Sequence, residues 1–354
     1  MSTWKRLSWP DRAKYAVKSG VAWFLHVTGL LRFLMRRRLR GRTVVLLYHR
    51  VLSPDQVENC WSHRAIVVER DTFARHMAAL RREFEVLSLE QFTERLASPS
   101  ASTRPACLVT FDDGWWDTYA QAWPVLREHG IPAVVFLPTQ FIGSTQRFWQ
   151  ERLGAVLYEL WRRSRSDAAL VTRARPVLER LELASLLDAP AASAREVVRD
   201  LVQRRKLLDP RGAAAAIDEL VALLGTETDG PLDGFMTWPQ VREMAEAGIA
   251  FGAHTISHRI LTTLPPDEVE QEVRGSRETL LRELGTAPAF SYPNGNWNRD
   301  VAAAVGNAPF ALAFTTQPGA VSATADRLAL PRINIHEDVT RSVPLFFARL
   351  SGVL

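Results

Sequence analysis

Two short polar motifs, each directly after an apolar run, contain side chains that can bind a metal ion and move protons. One is the pair Asp112 and Asp113, and the other is the pair His254 and His258. Two imidazoles four residues apart lie on one face if their loop is helical, so both can bind the same ion. With one aspartate as a third ligand, coordination positions remain for water and substrate, as in catalytic metal sites. The second aspartate is then free to act as a general base.

Each motif has a simpler interpretation when it is taken alone. Asp-Asp-Gly at 112–114 is an ordinary turn sequence, and two histidines at this spacing are commonly surface residues. Their shared position after an apolar run favours the catalytic interpretation. The carboxyl ends of parallel strands form the catalytic edge of α/β sheets and barrels.

An α/β fold has to position these motifs, and the pattern from Thr43 onward is typical of one. Apolar, β-branched runs predict strands at 43–48, 106–111, 133–137, 249–253, 289–292, 310–314 and 328–335. Amphipathic stretches predict helices at 71–83, 89–97, 117–129, 239–247, 266–284 and 299–305. Capping boxes mark two of the helix starts, Ser88 with Gln91 and Thr237 with Gln240.

The stretch 148–232 interrupts this alternation, since it is rich in Ala, Leu, Arg and Glu at helical spacing and has no strand-like run. We interpret it as a helical insertion in a catalytic domain that covers 43–340. An N-terminal segment at 1–42 precedes this domain, and a C-terminal tail at 341–354 follows it.

The N-terminal segment is expected to lie on a membrane surface. Residues 19–35 are apolar but interrupted by polar side chains, and they are short for a transmembrane helix, which needs about 20 apolar residues. Much of the net charge of +5 follows directly, in an arginine run at 36–42. This order suits an interfacial amphipathic helix beside anionic lipid better than a signal peptide or a nucleic-acid site. A helix packed on the catalytic domain is the alternative.

Composition restricts the remaining choices. Apolar residues make up 47% and charged residues 23% of the 354 residues, which is typical of a soluble or membrane-peripheral globular protein. We expect a cytoplasmic protein, peripheral to the inner face of the membrane, that binds no nucleic acid. The two cysteines, Cys60 and Cys107, are too few for a disulfide framework, so any metal site must use histidine and carboxylate.

Three motifs in the order TFDDG at 110–114, HTISH at 254–258 and FSYPNG at 290–295 resemble the polysaccharide deacetylases, also called the NodB-homology or carbohydrate esterase 4 family. The resemblance covers the two core segments, 43–147 and 233–340. It implies a distorted (β/α) barrel with fewer than eight strands, to which the helical insertion and the N-terminal helix are additions.

The resemblance also implies roles for individual residues. Asp112 is the general base, and Asp113, His254 and His258 bind a divalent metal, in most members Zn²⁺, for which Co²⁺, Ni²⁺ or Mn²⁺ can substitute. The backbone N–H of Asn294 donates to the oxyanion.

Two positions depart from the common pattern of the family. Ser291 stands where many members have an arginine that orients the base, and we assign that role to Arg332, a surface arginine being the alternative. The late Leu-x-His motif that carries the general acid is missing. His49, at the end of the first strand, takes this role as in the biofilm-polysaccharide deacetylases, and His336 is the rival.

Aromatic residues near these motifs are candidates for stacking on sugar rings, although core packing is more common for tryptophan. The residues assigned to substrate binding are Trp115, Trp116, Tyr292 and Trp297.

The expected activity is removal of N-acetyl groups from a saccharide, a polysaccharide or a lipid-linked glycan, by attack of metal-bound water. An O-acetyl esterase, a deformylase and a non-catalytic glycan-binding homologue are alternatives. An iron oxygenase with two histidines and one carboxylate uses the same ligand types, but the second aspartate and the Pro-Asn-Gly loop disfavour it.

Overall fold

The computed structural model describes residues 9–98, 104–205, 210–225 and 234–353. The chain divides into two compact units. The first comprises 1–54, 64–144 and 235–354, and the second comprises 55–63 and 145–234. The second unit therefore includes the predicted insertion together with a short segment at 55–63 that the sequence pattern assigned to the core.

The strands, in chain order, are β1 (Arg42–Tyr48), β2 (Arg50–Leu52), β3 (Val67–Glu69), β4 (Glu85–Val86), β5 (Ala106–Phe111), β6 (Ala133–Leu137), β7 (Ala250–Ala253), β8 (Ala289–Ser291), β9 (Leu312–Phe314), β10 (Ala320–Ser322) and β11 (Ile333–Asn334).

The α-helices are α1 (Trp9–Val27), α2 (Leu30–Arg38), α3 (Pro54–Asn59), α4 (Arg70–Glu83), α5 (Leu89–Ala97), α6 (Trp123–His129), α7 (Trp149–Ser164), α8 (Ala168–Arg180), α9 (Ala194–Arg204), α10 (Pro210–Leu224), α11 (Trp238–Glu246), α12 (Pro266–Leu284), α13 (Arg299–Asn307), α14 (Glu337–Thr340) and α15 (Val343–Ser351). Single turns of 3₁₀ helix lie at Arg64–Ile66, Ala184–Asp188, Leu261–Thr263 and Pro293–Gly295, and a π-helical turn lies at Thr118–Ala122.

A curled, mostly parallel sheet forms the core of the first unit. Its strand order is β10-β1-β5-β6-β7-β8-β9, with β11 beside β1 and β4 beside β5, and β10 is antiparallel to β1. Strands β1, β5 and β6 are buried along almost their whole length. Such strands are continuous apolar runs in the sequence because a parallel sheet is covered on both faces.

One segment near the C-terminus closes the curl of the sheet. Leu330 bridges Phe314 at the end of β9, and Leu46 of β1 pairs with Ile333 of β11. The strands β1, β5, β6, β7, β8, β9 and β11 thus form a distorted ring of seven. The predicted barrel with fewer than eight strands is confirmed, and it gathers the carboxyl ends of its parallel strands at one edge.

Agreement with the predicted elements is closest for the long, buried ones. Strands β5 and β6 and helix α12 have the predicted bounds, and both capping boxes are present. The predicted helix at 117–129 begins instead with the π-helical turn, and the strand predicted at 328–335 is reduced to the Leu330 bridge and β11. Strands β2, β3, β4 and β10 were not predicted, because two or three residues carry no periodic signal.

The second unit is a helical bundle with its own apolar core. Helices α7 to α10 contribute most of that core, including Leu157, Leu160, Leu178, Val198, Ile217 and Leu220. The buried guanidinium of Arg199 donates to the carbonyl oxygens of Val57 and Glu58, in the last turn of α3, and of Cys60, directly after it. These bonds satisfy carbonyl groups that a helix end leaves without partners, and they attach 55–63 to α9.

The predicted N-terminal helix is two helices, because Gly29 adopts a left-handed conformation with φ of 75° between α1 and α2. Both helices pack on α15, which occupies the stretch expected to be a tail. Within the described ranges, no helix is long and apolar enough to span a bilayer.

A buried histidine connects α4 with β1 and the C-terminal helices. His76 Nε2 lies 2.7 Å from the Thr340 carbonyl oxygen, which can only accept, so Nε2 donates and Nδ1 accepts from the Tyr48 hydroxyl. The ring stacks on Phe346 with centroids 3.9 Å apart. Burial lowers the pKa of His76 from 6.5 to about 3, so the folded protein holds this imidazole neutral.

This histidine predicts a loss of stability at acid pH. Below about 6.5 the unfolded chain binds a proton that the folded protein does not bind until about pH 3, so unfolding becomes progressively easier across this window. Chemical denaturation at several pH values should show the free energy of unfolding falling more steeply for wild type than for His76→Gln. Equal slopes for the two proteins would show that His76 is not buried in its neutral form.

Candidate active site

The two aspartates lie at the carboxyl end of β5 and are both buried. Asp112 is 2% exposed and Asp113 is 5% exposed. The chain turns sharply here, since Asp113 has φ of 75° and Gly114 has φ of 63°. A Cβ atom on Gly114 would lie 2.8 Å from Leu137 Cδ2, so glycine is required by space as well as by conformation.

The histidine loop after β7 is not helical, which corrects the condition under which His254 and His258 were expected to share a face. Thr255 and His258 have φ of 66° and 60°, and the chain bends at residues 256–257 between the two histidines. The Thr255 hydroxyl accepts from the N–H of His258 at 2.9 Å. The Glu272 carboxylate accepts from the backbone N–H of Ser257 at 2.9 Å and from its hydroxyl, so α12 fixes the shape of the loop.

The predicted ligand set is nevertheless brought together. Asp113 Oδ1 lies 3.5 Å from His254 Nε2 and 3.1 Å from His258 Nε2. One ligand atom from each residue falls within 4.8 Å of the others, so this cluster in the described part of the chain could hold a metal ion. Two imidazole nitrogens and a carboxylate oxygen suit zinc and similar divalent ions.

The orientation of the His254 imidazole suits metal binding. His254 Nδ1 lies 2.7 Å from the Ser291 carbonyl oxygen, so Nδ1 donates to that oxygen and Nε2 faces Asp113. Burial alone would raise the pKa of Asp113, but His254 and His258 more than offset it and hold that pKa well below its usual value.

Asp112 is held by a different cation. The guanidinium of Arg332 donates to both carboxylate oxygens, at 2.8 and 2.7 Å, and the Ser291 hydroxyl donates to Oδ2 at 3.1 Å. Burial would raise the pKa of Asp112, but Arg332 outweighs it and the pKa is lowered. Asp112 is therefore ionised and available as a proton acceptor.

The position of Arg332 is itself set by the barrel. Its side chain is fully buried, its Nε donates to the Thr315 carbonyl oxygen at 2.8 Å, and its Nη2 donates to the Ser291 hydroxyl at 2.8 Å. Ser291 stands where many family members have an arginine. Its hydroxyl accepts from Arg332 and donates to Asp112, so it bridges the two residues. This role could not be predicted from spacing, because it depends on a residue 41 positions away.

Trp115 is buried and contacts Asp113, which corrects its assignment to substrate binding. It is 1% exposed and cannot stack on a sugar, and its Nε1 donates to Asp113 Oδ2 at 2.9 Å. Phe235 stacks on its ring at 4.9 Å, and the Arg50 guanidinium lies 4.2 Å from the ring centroid. Asp117 forms a buried ion pair with Arg50 at 2.9 Å. Arg50 and Asp117 were not among the site residues predicted from the sequence.

The other assigned aromatic residues differ in exposure. Tyr292 is fully buried, and its hydroxyl donates to the Leu328 carbonyl oxygen at 2.8 Å, so it belongs to the core and its predicted contact with substrate is wrong. Trp116 is 42% exposed, and Trp297 is partly exposed. These two tryptophans remain accessible to a ligand.

The loop after β8 is a tight turn around Asn294. Asn294 is exposed and has φ of 56°, and Gly295 follows with φ of 74°. A Cβ atom on Gly295 would overlap Thr316 Oγ1 at 2.0 Å. Only glycine permits the turn to approach Thr316 this closely.

His49 lies between β1 and β2, half-buried. Its Nδ1 is buried and has no hydrogen-bond partner within the described residues. Burial lowers the pKa of His49, and the charges of Asp113 and Asp112 oppose that effect. The rival His336 is the residue that precedes α14, and its carbonyl oxygen accepts from Thr340.

Backbone strain is concentrated in these loops. Within the described ranges five non-glycine residues have positive φ, and four of them are Asp113, Thr255, His258 and Asn294. Such conformations cost about 1–3 kcal/mol each and are retained where the surrounding structure demands them, often at functional sites. The φ values thus identify the same three loops as the sequence motifs.

A carboxylate base beside a His-His-Asp ligand set, at the carboxyl ends of barrel strands, is the arrangement of a metal-assisted hydrolase. The model of the polysaccharide deacetylase family matches residues 100–208 and 213–313. The chain belongs to this family, because the match covers more than half of its residues. The resemblance carried by the three motifs is confirmed, and the protein is a carbohydrate deacetylase.

Individual relatives are distant. YxkH of Bacillus subtilis (strain 168), assigned as a polysaccharide deacetylase, is 20% identical over 302 residues, 84% of this chain and 73% of the relative. The Streptococcus pyogenes deacetylase PplD in complex with acetate has a TM-score of 0.54 at 19% identity, covering 84% of this chain and 94% of that one. IcaB from Ammonifex degensii has a TM-score of 0.55 at 18% identity, covering 88% and 97%. These two structures share the fold.

The contact between Trp115 and Asp113 predicts an effect on metal affinity. Trp115→Phe keeps the stacking ring but removes the donor to Asp113 Oδ2, so zinc affinity should fall about 10- to 100-fold, as for other residues that orient a ligand. Competition with a chromophoric chelator measures the affinity. The matched control is Trp116→Phe. The Trp116 side chain is exposed, so this variant should bind zinc like wild type. Equal affinities for both variants would remove Trp115 from this role.

Proposed function

We propose that the protein hydrolyses the N-acetyl group of an N-acetylated saccharide, a polysaccharide or a lipid-linked glycan, and releases acetate. The observation that carries this proposal is the different environment of two adjacent buried carboxylates. Asp112 is held by Arg332, whereas Asp113 faces His254 and His258. Hydrolysis at a metal site needs this division, because one carboxylate binds the ion while the other accepts a proton.

Zinc is the metal that we propose, held by Asp113, His254 and His258, with Co²⁺, Ni²⁺ or Mn²⁺ as substitutes. Three protein ligands of these types are typical of catalytic zinc. A bound zinc ion polarises the acetyl carbonyl and makes a water molecule more acidic.

Four residues of the chain then move protons or stabilise charge. Asp112 accepts a proton from the attacking water, and Arg332 keeps its carboxylate ionised and oriented. The N–H of Asn294 donates to the oxyanion at the acetyl carbonyl. His49 donates a proton to the departing nitrogen, which is a poor leaving group without it. The products are acetate and an amino sugar.

The accessible tryptophans support a saccharide substrate. Trp116 and Trp297 both lie close in sequence to site residues and offer ring faces to a ligand. Sugar rings present C–H groups that pack well on aromatic faces. We propose that these two side chains bind the glycan beside the acetyl group.

Acetate release tests the proposal. The zinc-loaded protein should release acetate from N-acetylglucosamine oligomers in the absence of oxygen and of a 2-oxo acid. Release that requires both would identify an iron oxygenase instead. Saturable binding of the oligomer without any acetate release would identify a glycan-binding homologue.

The different roles proposed for Asp112 and Asp113 predict two classes of variant. Asp113→Ala, His254→Ala and His258→Ala should each lose zinc, because a three-ligand site cannot spare a ligand. Asp112→Asn should retain zinc while its turnover falls roughly 100-fold or more, as expected for a removed general base. Metal content and acetate release, measured on the same samples, separate the classes. Normal turnover in Asp112→Asn would contradict the assignment of the base.

The assignment of His49 predicts a selective loss. An activated aryl acetate has a good leaving group and needs no acid, whereas an acetamide needs one. His49→Ala should therefore keep zinc, lose most activity on N-acetyl sugars and retain a larger share on the aryl ester. His336→Ala is the matched comparison and should act on both substrates like wild type. The opposite pattern would make His336 the acid.

A further inference from the structure

Helices α1 and α2 carry an apolar surface that faces solvent. Seven of the nine exposed large hydrophobic side chains in the described ranges lie on these two helices. Trp23 is 60% exposed, Phe24 59% and Phe33 58%. The other side of the pair is buried, with Ala22 and Leu31 inaccessible, and it packs on α15. Each helix thus has an exposed apolar face in addition to its buried one, and the described residues leave the exposed face uncovered.

A basic cavity continues this face at the end of α2. Leu30, Phe33 and Arg37 are spaced by three and four residues, so they share one face of the helix. Arg37 also lines a cavity of about 650 Å³. The arginines around that cavity are Arg37, Arg38, Arg40, Arg42 and Arg349, and no described carboxylate lines it.

The described residues do not neutralise the positive charge of this cavity. In the described part of the chain no ion pair joins Arg37, Arg40 or Arg42 to a carboxylate. Arg349 Nε is buried without a hydrogen-bond partner among the same residues. Arg38 instead donates to the carbonyl oxygen of Gly352 at 2.6 Å. The cavity can therefore accept an anion of several charges.

The wider charge pattern agrees with an anionic occupant. From residue 14 to residue 42 the sequence has eight lysines and arginines and no aspartate or glutamate. A second copy of this chain on the same face would bring two such clusters together, and they would repel each other. A bilayer interface accepts tryptophan and phenylalanine at the depth of the headgroups, while neighbouring arginines reach lipid phosphates.

We propose that α1 and α2 dock on an anionic membrane. Trp23, Phe24 and Phe33 lie at the boundary between headgroups and acyl chains, and the basic cavity holds a lipid phosphate. This inference is independent of the chemistry proposed for the active site, because it concerns residues outside that site.

Sedimentation with lipid vesicles tests the proposal on the full chain. Vesicles of phosphatidylcholine and phosphatidylglycerol should bind the protein at least about tenfold more tightly than phosphatidylcholine alone, and added salt should weaken the binding. Equal affinity for the two kinds of vesicle would overturn the proposal. Full displacement of bound protein by inorganic phosphate at matched ionic strength would do so too, because it would make the cavity a site for soluble anions.

Two double variants separate the apolar and the basic contributions. Trp23→Ser with Phe24→Ser should weaken binding at least about tenfold by removing insertion at the interface. Arg37→Gln with Arg40→Gln should weaken it about 25-fold on anionic vesicles, at roughly fivefold for each neutralised arginine. The control on α12 is Leu281→Ser with Arg282→Gln, whose side chains are 37% and 65% exposed, and it should bind like wild type.

Folding and self-association are checked on the same proteins. The substituted side chains are exposed, so thermal unfolding midpoints should match wild type. Wild-type binding by either double variant of α1 and α2 contradicts the proposal. The proposal would also be contradicted if the wild-type protein were a dimer and the double variant Trp23→Ser with Phe24→Ser were a monomer. The exposed face would then bind a second copy of the chain.

Discussion

Two adjacent carboxylates are buried side by side at the end of an apolar strand, and the rest of the active site follows from this constraint. Asp112 and Asp113 are each at most 5% exposed. Burial disfavours their charged forms, and two like charges at neighbouring positions repel each other. Both can be ionised only if each has its own source of positive charge. Arg332 provides it for Asp112, and the two histidines provide it for Asp113.

This arrangement requires the barrel as a scaffold. The carboxyl ends of β5, β7 and β8 carry the aspartates, the first histidine and the loop of Asn294, and the ring of strands brings those ends to one edge. Behind this edge, a set of buried polar residues orients the catalytic groups. Thr315 and Ser291 hold Arg332, while Trp115 holds Asp113. Each contact gives a buried polar atom a hydrogen-bond partner. The same hydrogen bonds therefore orient the two aspartates and stabilise the fold.

The sequence predicts this scaffold well where a strand is long and buried. The run 106–111 is wholly apolar apart from one threonine, and its strand has the predicted bounds. Its termination at two aspartates predicts where the site lies. The direction in which a side chain points is harder to predict from the sequence. Trp115 and Trp116 are indistinguishable in the sequence, yet one supports Asp113 from the core and the other faces solvent. Their difference depends on Phe235 and the other residues that pack around them.

Contacts between distant positions account for most of what the sequence did not predict. Arg332 lies 220 residues from Asp112, and the pairing was inferred from a family resemblance rather than from spacing. The histidine loop is not helical, and Glu272 of α12 accepts from its backbone. Spacing alone cannot show such a tertiary contact.

Anomalous diffraction at the zinc edge, on crystals of the zinc-loaded protein, tests whether Asp113 binds the metal while Asp112 remains outside its coordination sphere. We expect a single strong peak within bonding distance, about 2.0–2.2 Å, of Asp113 and of the imidazole nitrogens of His254 and His258. Asp112 should keep its two bonds to Arg332. A peak bonded to both aspartates, or an Asp112 that has left Arg332 to bind the ion, would contradict the account.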